Sequence, residues 1–383
     1  MKTPELTYPR LRPSVAMAPV HQTVDGILCD FFMGNTRVNR RFVIQQDLFE
    51  CLKLLDGTKN ASDVVNSVVG GKGDCDFLHK KLKSLLHVLR EKNIVEDVKM
   101  AEISEADPRR RVLSFLGDFF PDYRLVEVQG RLQSAVVIIC GIGGVGSWVA
   151  HFLCRSGVGH LVLIDPDVVQ PSNLNRSLFP NKFGEKKVAV LSELLRSIDP
   201  HVRVDVQDSK IQGPNDLEKV VEVVLGSSIP PRRIVVVNCA DEPNVDFTND
   251  IIGSVCMPRH IPHVVAGGYN LHLGLMGPTV IPFRGPCLEC VSMSLKKVSP
   301  DGFEEVRKLD RPLRKLGSLG PMVGLVSAFA ANEAIRTILN GDRLQPALNG
   351  QRMEYDFFTG NIKTTGFERQ ANCKWCGHHG IYK

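Results

Sequence analysis

The residues with the most chemical content are two Cys-x-x-Cys pairs, Cys287-Leu288-Glu289-Cys290 and Cys373-Lys374-Trp375-Cys376. Four thiolates in such pairs suit a tetrahedral Zn²⁺. They leave no ligand position for water, so a structural centre is expected; the bland alternative is four unrelated buried cysteines. His378 and His379 lie nearby and are read as spare. A second pattern is a glycine run. Ala135 to Cys140 (AVVIIC) is continuously apolar, as in a strand buried on both faces, and leads straight into Gly141-Ile142-Gly143-Gly144-Val145-Gly146. Glycines allow a tight turn and close approach to a phosphate, and the helical stretch from Ser147 to Ser156 offers free N–H groups. Leu161 to Ile164 forms another apolar strand ending at Asp165, about twenty residues past the glycines, where a ribose-binding acid usually stands. On these residues alone a dehydrogenase-type site fits as well as an ATP site.

These residues need a frame to hold them. The chain has 383 residues, 43% hydrophobic and 23% charged, enough for a large core and two or three domains. Its net charge of +5 is spread out with no long basic run, a weak hint of acidic partners such as ATP and poor support for nucleic acid. No stretch approaches a membrane span or a signal core, so a cytoplasmic protein is expected. The eleven cysteines then read as metal ligands or buried thiols, not as a disulfide framework.

Residues 1–20 contain four prolines and are expected to form a poorly ordered arm. Gly26 to Phe32 favours a strand, Met33-Gly34-Asn35 a turn, and Arg37 to Ile44 a second strand. Asp47 to Leu55 reads as a helix stopped at Asp56-Gly57, and Ser62 as the N-cap of Asp63 to Val69. Leu78, Leu82, Leu85 and Leu89 recur at helical spacing. A small α+β domain over residues 21–100 follows. Its hairpin, the stretch Leu54 to Val65 and the leucine-rich helix closing in EKNIVED resemble the winged-helix, PqqD-like domains that bind leader peptides. That resemblance implies strand addition along Phe31 to Arg41. A generic winged-helix domain packed on a catalytic one is the alternative.

The segment DPDVVQPSNLNRSLF, Asp165 to Phe179, resembles the D-x-D…S-N-L-N-R stretch of the ThiF, MoeB and ubiquitin-activating family. FGEKK follows, with a lysine three residues after Gly184, and then VVVNCADEPN, in family order. The sequences CADEPN, AGGYNLHLGLMGPTVIPFRGPCLEC and CKWCG are similar to the branch that modifies ribosomally made peptides, as in microcin C and pantocin maturation. The resemblance implies an α/β, Rossmann-like doubly wound sheet with a ThiF-type C-terminal half over residues 108–383, a homodimer, and a precursor peptide as substrate. It implies an enzyme that uses ATP and Mg²⁺ to activate a carboxylate as an acyl-adenylate, with Zn²⁺ held by the four cysteines.

Carried over residue by residue, the resemblance assigns Gly141, Gly143, Gly144 and Gly146 to the phosphate turn and Asp165 to the ribose. Asn173 and Arg176 would contact phosphates, Lys187 would neutralise the α-phosphate and leaving group, and Asp241 would bind Mg²⁺. Lys186 competes for the lysine role. Arg111 occupies the place of an arginine supplied across the dimer; RRRVLSFL departs from the family's R-x-x-R-Q, so Arg109 and Arg110 stay open. Val291 to Leu319 contains no cysteine, which argues against thioester transfer through that loop. Cys140, Cys154, Cys239 and Cys256 are expected to be core thiols. The adenylated group would be a glutamate side chain, as in pantocin maturation, or a peptide C-terminus. A carrier-protein or tRNA-modifying adenylase and a non-catalytic scaffold presenting a precursor are the competing readings.

Overall fold

The computed structural model describes residues 4–70, 74–101, 107–226, 233–266, 269–270, 272–297, 317–341 and 344–382. The chain divides into two compact units, Met1–Gln129 and Gly130–Lys383.

In the first unit, β1 (Pro9–Leu11) precedes an antiparallel meander of β2 (Val15–Thr23), β3 (Gly26–Met33) and β4 (Val38–Ile44). Alternation along β3 buries Ile27, Cys29, Phe31 and Met33 and leaves Phe32 exposed. Helices α1 (Gln46–Lys53), α2 (Ala61–Val69) and α3 (Cys75–Glu91) close the core, with Leu48, Leu52, Val64, Val65, Leu82, Leu86 and Leu89 facing the inner side of β3. The N-cap of α2 is Asn60, whose side chain accepts the Asp63 N–H at 2.9 Å, two residues ahead of the expected Ser62.

The N-terminal arm is not loose. β1 pairs antiparallel with β5 (Val95–Asp97), and all of residues 15–20 belong to β2. Charge explains this: the Asp97 carboxylate accepts the Tyr8 N–H at 3.2 Å and the Thr7 hydroxyl at 2.8 Å, while Arg10 and Arg12 both bond to Glu96. Pro19 falls at the irregularity in β2, an outer strand where a missing donor is tolerated. After the short α4 (Val98–Ala101), helix α5 (Arg110–Gly117) also belongs to this unit. Asp122 joins it to α3 through a buried pair with Arg90, at 2.7 and 2.9 Å, and accepts the Asp97 N–H at 2.7 Å. The compact unit thus runs well past the expected boundary near residue 100, and α6 (Leu125–Gln133) crosses into the next.

The second unit is built on a six-stranded sheet. In chain order its strands and helices are β6 (Ala135–Cys140), α7 (Gly144–Arg155), β7 (His160–Ile164), α8 (Lys187–Ile198), β8 (Arg203–Gln207), α9 (Pro214–Leu225), β9 (Arg233–Asn238), α10 (Val245–Cys256) and β10 (His263–Val265). Next come β11 (Tyr269–Asn270), β12 (Leu273–Met276), β13 (Thr279–Val280), α11 (Leu288–Lys297), α12 (Gly320–Ile338), β14 (Gln351–Asp356) and β15 (Ile362–Gly366). The sheet order is β13-β10-β9-β6-β7-β8, parallel except for β13. All six residues of β6 are buried, as its continuous apolar run requires. One face of the sheet packs on α9 and α10 through Val136, Ile138, Cys140, Leu217, Val221, Ile252 and Val255; α7, α8 and α12 pack on the sheet as well. A second sheet, β11-β12-β14-β15, is wholly antiparallel. Among the described residues no helix is long and apolar enough to cross a membrane.

Candidate functional site

β6 lies between β7 and β9, so the chain winds outward in both directions from it. The crevice beyond the carboxyl ends of the strands at such a switch point is where open α/β sheets bind ligands. The glycine turn follows β6, Asp165 ends β7, and Asp241 lies just past β9. Gly141 takes φ +81°, and a Cβ there would come within 2.9 Å of Ala240 backbone. A Cβ on Gly146 would come within 1.9 Å of the Gly141 carbonyl oxygen, so the turn can close onto the helix only with glycine. Helix α7 begins at Gly144 with no side-chain cap at Gly143. Its first N–H groups therefore remain available to an anion.

Asp165 is 6% exposed, and its carboxylate is already in use. Oδ2 accepts the Ile142 N–H and Oδ1 the Asp167 N–H, each at 2.9 Å. It therefore fixes both the glycine turn and its own loop. Arg176 lies over the start of α7, with Cγ and Cδ 3.3 Å from where a Gly144 Cβ would stand. Its guanidinium donates to the Ser172 carbonyl at 2.6 Å and the Asn175 side chain at 3.0 Å. Asn173 is buried, and its side-chain oxygen accepts the Gln170 N–H at 2.9 Å.

The two adjacent lysines part company. Lys186 points outward, to Asp208 at 3.0 Å and the Pro166 carbonyl at 3.1 Å. Lys187 opens α8 with its side chain only 8% exposed, its ammonium 2.6 Å from Asp167 and 3.5 Å from Asp165. Sequence reasoning gave Asp167 no role, although the Asp165-Pro166-Asp167 spacing was a visible signal. Asp241 meets solvent, yet enclosure by protein atoms raises its pKa, against the lowering pull of the Arg176 and Lys187 charges. Two cations and three carboxylates thus gather around the glycine turn.

Arg109, Arg110 and Arg111 lie at the start of α5, in the first unit. Of the four expected core thiols, burial pushes Cys140 up to about 12, Cys154 up to about 11, and Cys239 and Cys256 well above the ordinary value. None is a ready thiolate at neutral pH. Most of the cysteine-free loop, residues 298–316, lies outside the described residues.

Cys287, Cys290, Cys373 and Cys376 are all buried, with their sulfurs mutually within 4.8 Å. Four of the six sulfur separations run from 3.4 to 3.8 Å. A tetrahedral zinc with bonds of about 2.3 Å needs sulfurs about 3.8 Å apart, so the set fits. The second pair is locked in place from outside: Trp375 packs so closely on α10 that a Cβ on Gly253 would come within 2.2 Å of its ring. The Cys290 sulfur also accepts the Gln370 N–H at 3.3 Å.

Comparison with known proteins accords with this geometry. The ThiF family model matches residues 118–375. The SAMP-activating enzyme E1 of Haloferax volcanii is 30% identical over 258 residues, covering 67% of this chain and 85% of that protein. The molybdopterin-synthase adenylyltransferase of Salmonella typhimurium is 26% identical over 284 residues, 73% of this chain and 100% of that one. In fold, the chain matches E. coli MccB solved with ATP at a TM-score of 0.68 and 21% identity, covering 96% of this chain and 99% of that one. It also matches PaaA at a TM-score of 0.62 and 20% identity, covering 94% and 100%. The chain belongs to the ThiF family of ATP-dependent adenylating enzymes.

Proposed function

We propose that this enzyme adenylates a carboxylate of a ribosomally made precursor peptide. The observation that carries the reading is the meeting of Lys187, Arg176 and Asp241 at the uncapped start of α7. A carboxylate oxygen forms a bond to the α-phosphorus while the bond from that phosphorus to the bridging oxygen breaks and its electron pair leaves with pyrophosphate. Negative charge shifts towards the leaving group, and fixed positive groups there lower the barrier. Lys187 and Arg176 supply that charge. The N–H groups of Gly144 and Val145 hold phosphate oxygens, and Asp165 holds the ribose while bracing the turn. Asp241 carries Mg²⁺, which when bound draws charge from the phosphates. The four cysteines hold Zn²⁺ as a structural centre. With the four other thiols of this unit protonated, the adenylate is consumed by a nucleophile of the substrate itself.

The precursor is recognised by the first unit, along the outer strand β4 with its exposed Val38 and Val43 and the exposed Phe32 on the adjoining β3. Arg111 acts across a homodimer. E. coli MccB, whose fold the chain shares, has been solved in complex with MccA, which favours a peptide substrate. A relative named as the sulfur carrier protein ThiS adenylyltransferase, from E. coli, favours a carrier protein as the second reading. ATP–pyrophosphate exchange decides between them: peptides encoded beside this gene should stimulate exchange and carrier proteins should not. Exchange with carriers alone overturns the peptide reading, and exchange with neither overturns both substrate readings. Phe32→Asp should weaken precursor binding by calorimetry; unchanged affinity removes the first unit from recognition.

A further inference from the structure

Lys187 has two carboxylate partners, and they are not equivalent. Asp165 is buried and already accepts two backbone N–H groups. Asp167 makes the shorter contact to the ammonium, 2.6 against 3.5 Å, and its own side chain is 58% exposed. It therefore reaches a nearly buried ammonium from the solvent side.

The loop aims Asp167 independently of that ion pair. Its N–H is held by Asp165 at 2.9 Å and its carbonyl accepts the Lys187 N–H at 3.0 Å. Beyond it, Val169 donates to Glu185 at 2.8 Å and accepts from Gly184 at 3.0 Å. These bonds zip residues 167–169 against 184–187 as a short antiparallel ladder, with Val168 opposite Lys186. A nearly buried ammonium is costly without an anion, and a carboxylate and a phosphate competing for one ammonium repel each other.

We propose that Asp167 is a positioning residue: the counter-ion that holds the Lys187 ammonium beside the glycine turn in the nucleotide-free enzyme and yields it to the triphosphate on binding. The ion pair is exchanged when nucleotide arrives, not added to. The inference rests on the nucleotide reading of the site above.

The test is calorimetric binding of α,β-methylene-ATP with Mg²⁺ to the full chain and a set of variants. Asp167→Asn removes the competing charge and should tighten binding by roughly threefold, the scale of a partly exposed ion pair. Asp167→Glu keeps the charge and should restore wild-type affinity. Lys187→Gln should weaken binding, and adding Asp167→Asn to it should give no further gain, because the competitor then has nothing to hold. Weaker or unchanged binding by Asp167→Asn overturns the proposal. So does an equal gain in the Lys187→Gln background, which would mark a general charge effect. Asp167→Ser carries the same expectation if the asparagine variant fails to fold. No analogue binding by the wild-type chain overturns the nucleotide reading and this inference together.

Discussion

The cluster at the glycine turn and the four-cysteine cluster both gather residues from distant stretches of chain, yet they satisfy their charges differently. At the glycine turn, side chains satisfy one another: Lys187 pairs with Asp167 and Asp165, and Arg176 rests on its own turn. Asp241 and Asp167 keep contact with solvent, so an arriving anion can take over these pairings. The four sulfurs are sealed, with Cys290 at 0%, Cys287 at 1% and Trp375 packed beside them. A site made for exchange keeps its partners replaceable, whereas one made for holding closes over them. Substitution in the first should therefore change chemistry with little effect on folding, and substitution in the second should do the reverse.

The largest effect is expected at the cysteines. Cys373→Ser should cost soluble, folded protein, because binding energy at a structural metal is folding energy. Elemental analysis of the wild type should find about one Zn²⁺ per chain. A well-folded, metal-free preparation would break the comparison at its closed end.

Next come the charges at the glycine turn. Lys187→Ala should lower pyrophosphate exchange by about 100-fold or more, the scale of losing one preorganised charge contact, with a far smaller change in unfolding midpoint than in the cysteine variant. Asp241→Asn should abolish turnover. Its effect on stability has a definite sign: enclosure by surrounding protein atoms raises the Asp241 pKa although the residue meets solvent, so the folded state disfavours the carboxylate and carries that penalty at neutral pH. The unfolding midpoint at pH 7 should therefore hold or rise. A fall would mean that Asp241 supports the fold and that the site is less exchangeable than drawn here. In the wild type, exchange should decline as pH drops through the raised pKa and the carboxylate proposed to hold Mg²⁺ is protonated.

The smallest effect lies between the clusters. β10 runs beside β9, which leads to Asp241, while its Val265 packs in the cysteine cluster. It carries His263, 0% exposed, whose Nδ1 lies 3.1 Å from the Ile261 carbonyl; burial lowers its pKa to about 4. The unfolded chain takes up this proton near pH 6.5 and the folded chain only near 4. The stability contributed by the neutral ring is therefore complete above pH 6.5 and is lost as pH falls towards 4, a difference of roughly 3 kcal/mol. His263→Gln should flatten the dependence of the unfolding midpoint over that window. An unchanged slope would assign acid sensitivity to other groups.

Much of this was legible because it is local. The apolar run Ala135 to Cys140, the glycines that must turn tightly behind it, and the two-residue gap within each cysteine pair all carry their geometry in short spacing. So did the hairpin of β3 and β4 and the leucines of α3, whose periods of two and about four follow from backbone geometry. Spacing along a chain does not say which way a side chain points once elements pack, and there the structure decided. It turned Lys187 inward and Lys186 outward because only the first position of α8 faces Asp165. It moved the cap of α2 to Asn60, ordered the proline-rich arm through Asp97 and Glu96, and kept Arg109 to Arg111 in the first unit, whose buried Arg90–Asp122 pair draws in the chain beyond residue 100. Short-range hydrogen bonding and periodicity are properties of the sequence. The partner of a charge is settled only by three-dimensional proximity, since a carboxylate twenty residues away in sequence, Asp167 from Lys187, can be the nearest anion in space.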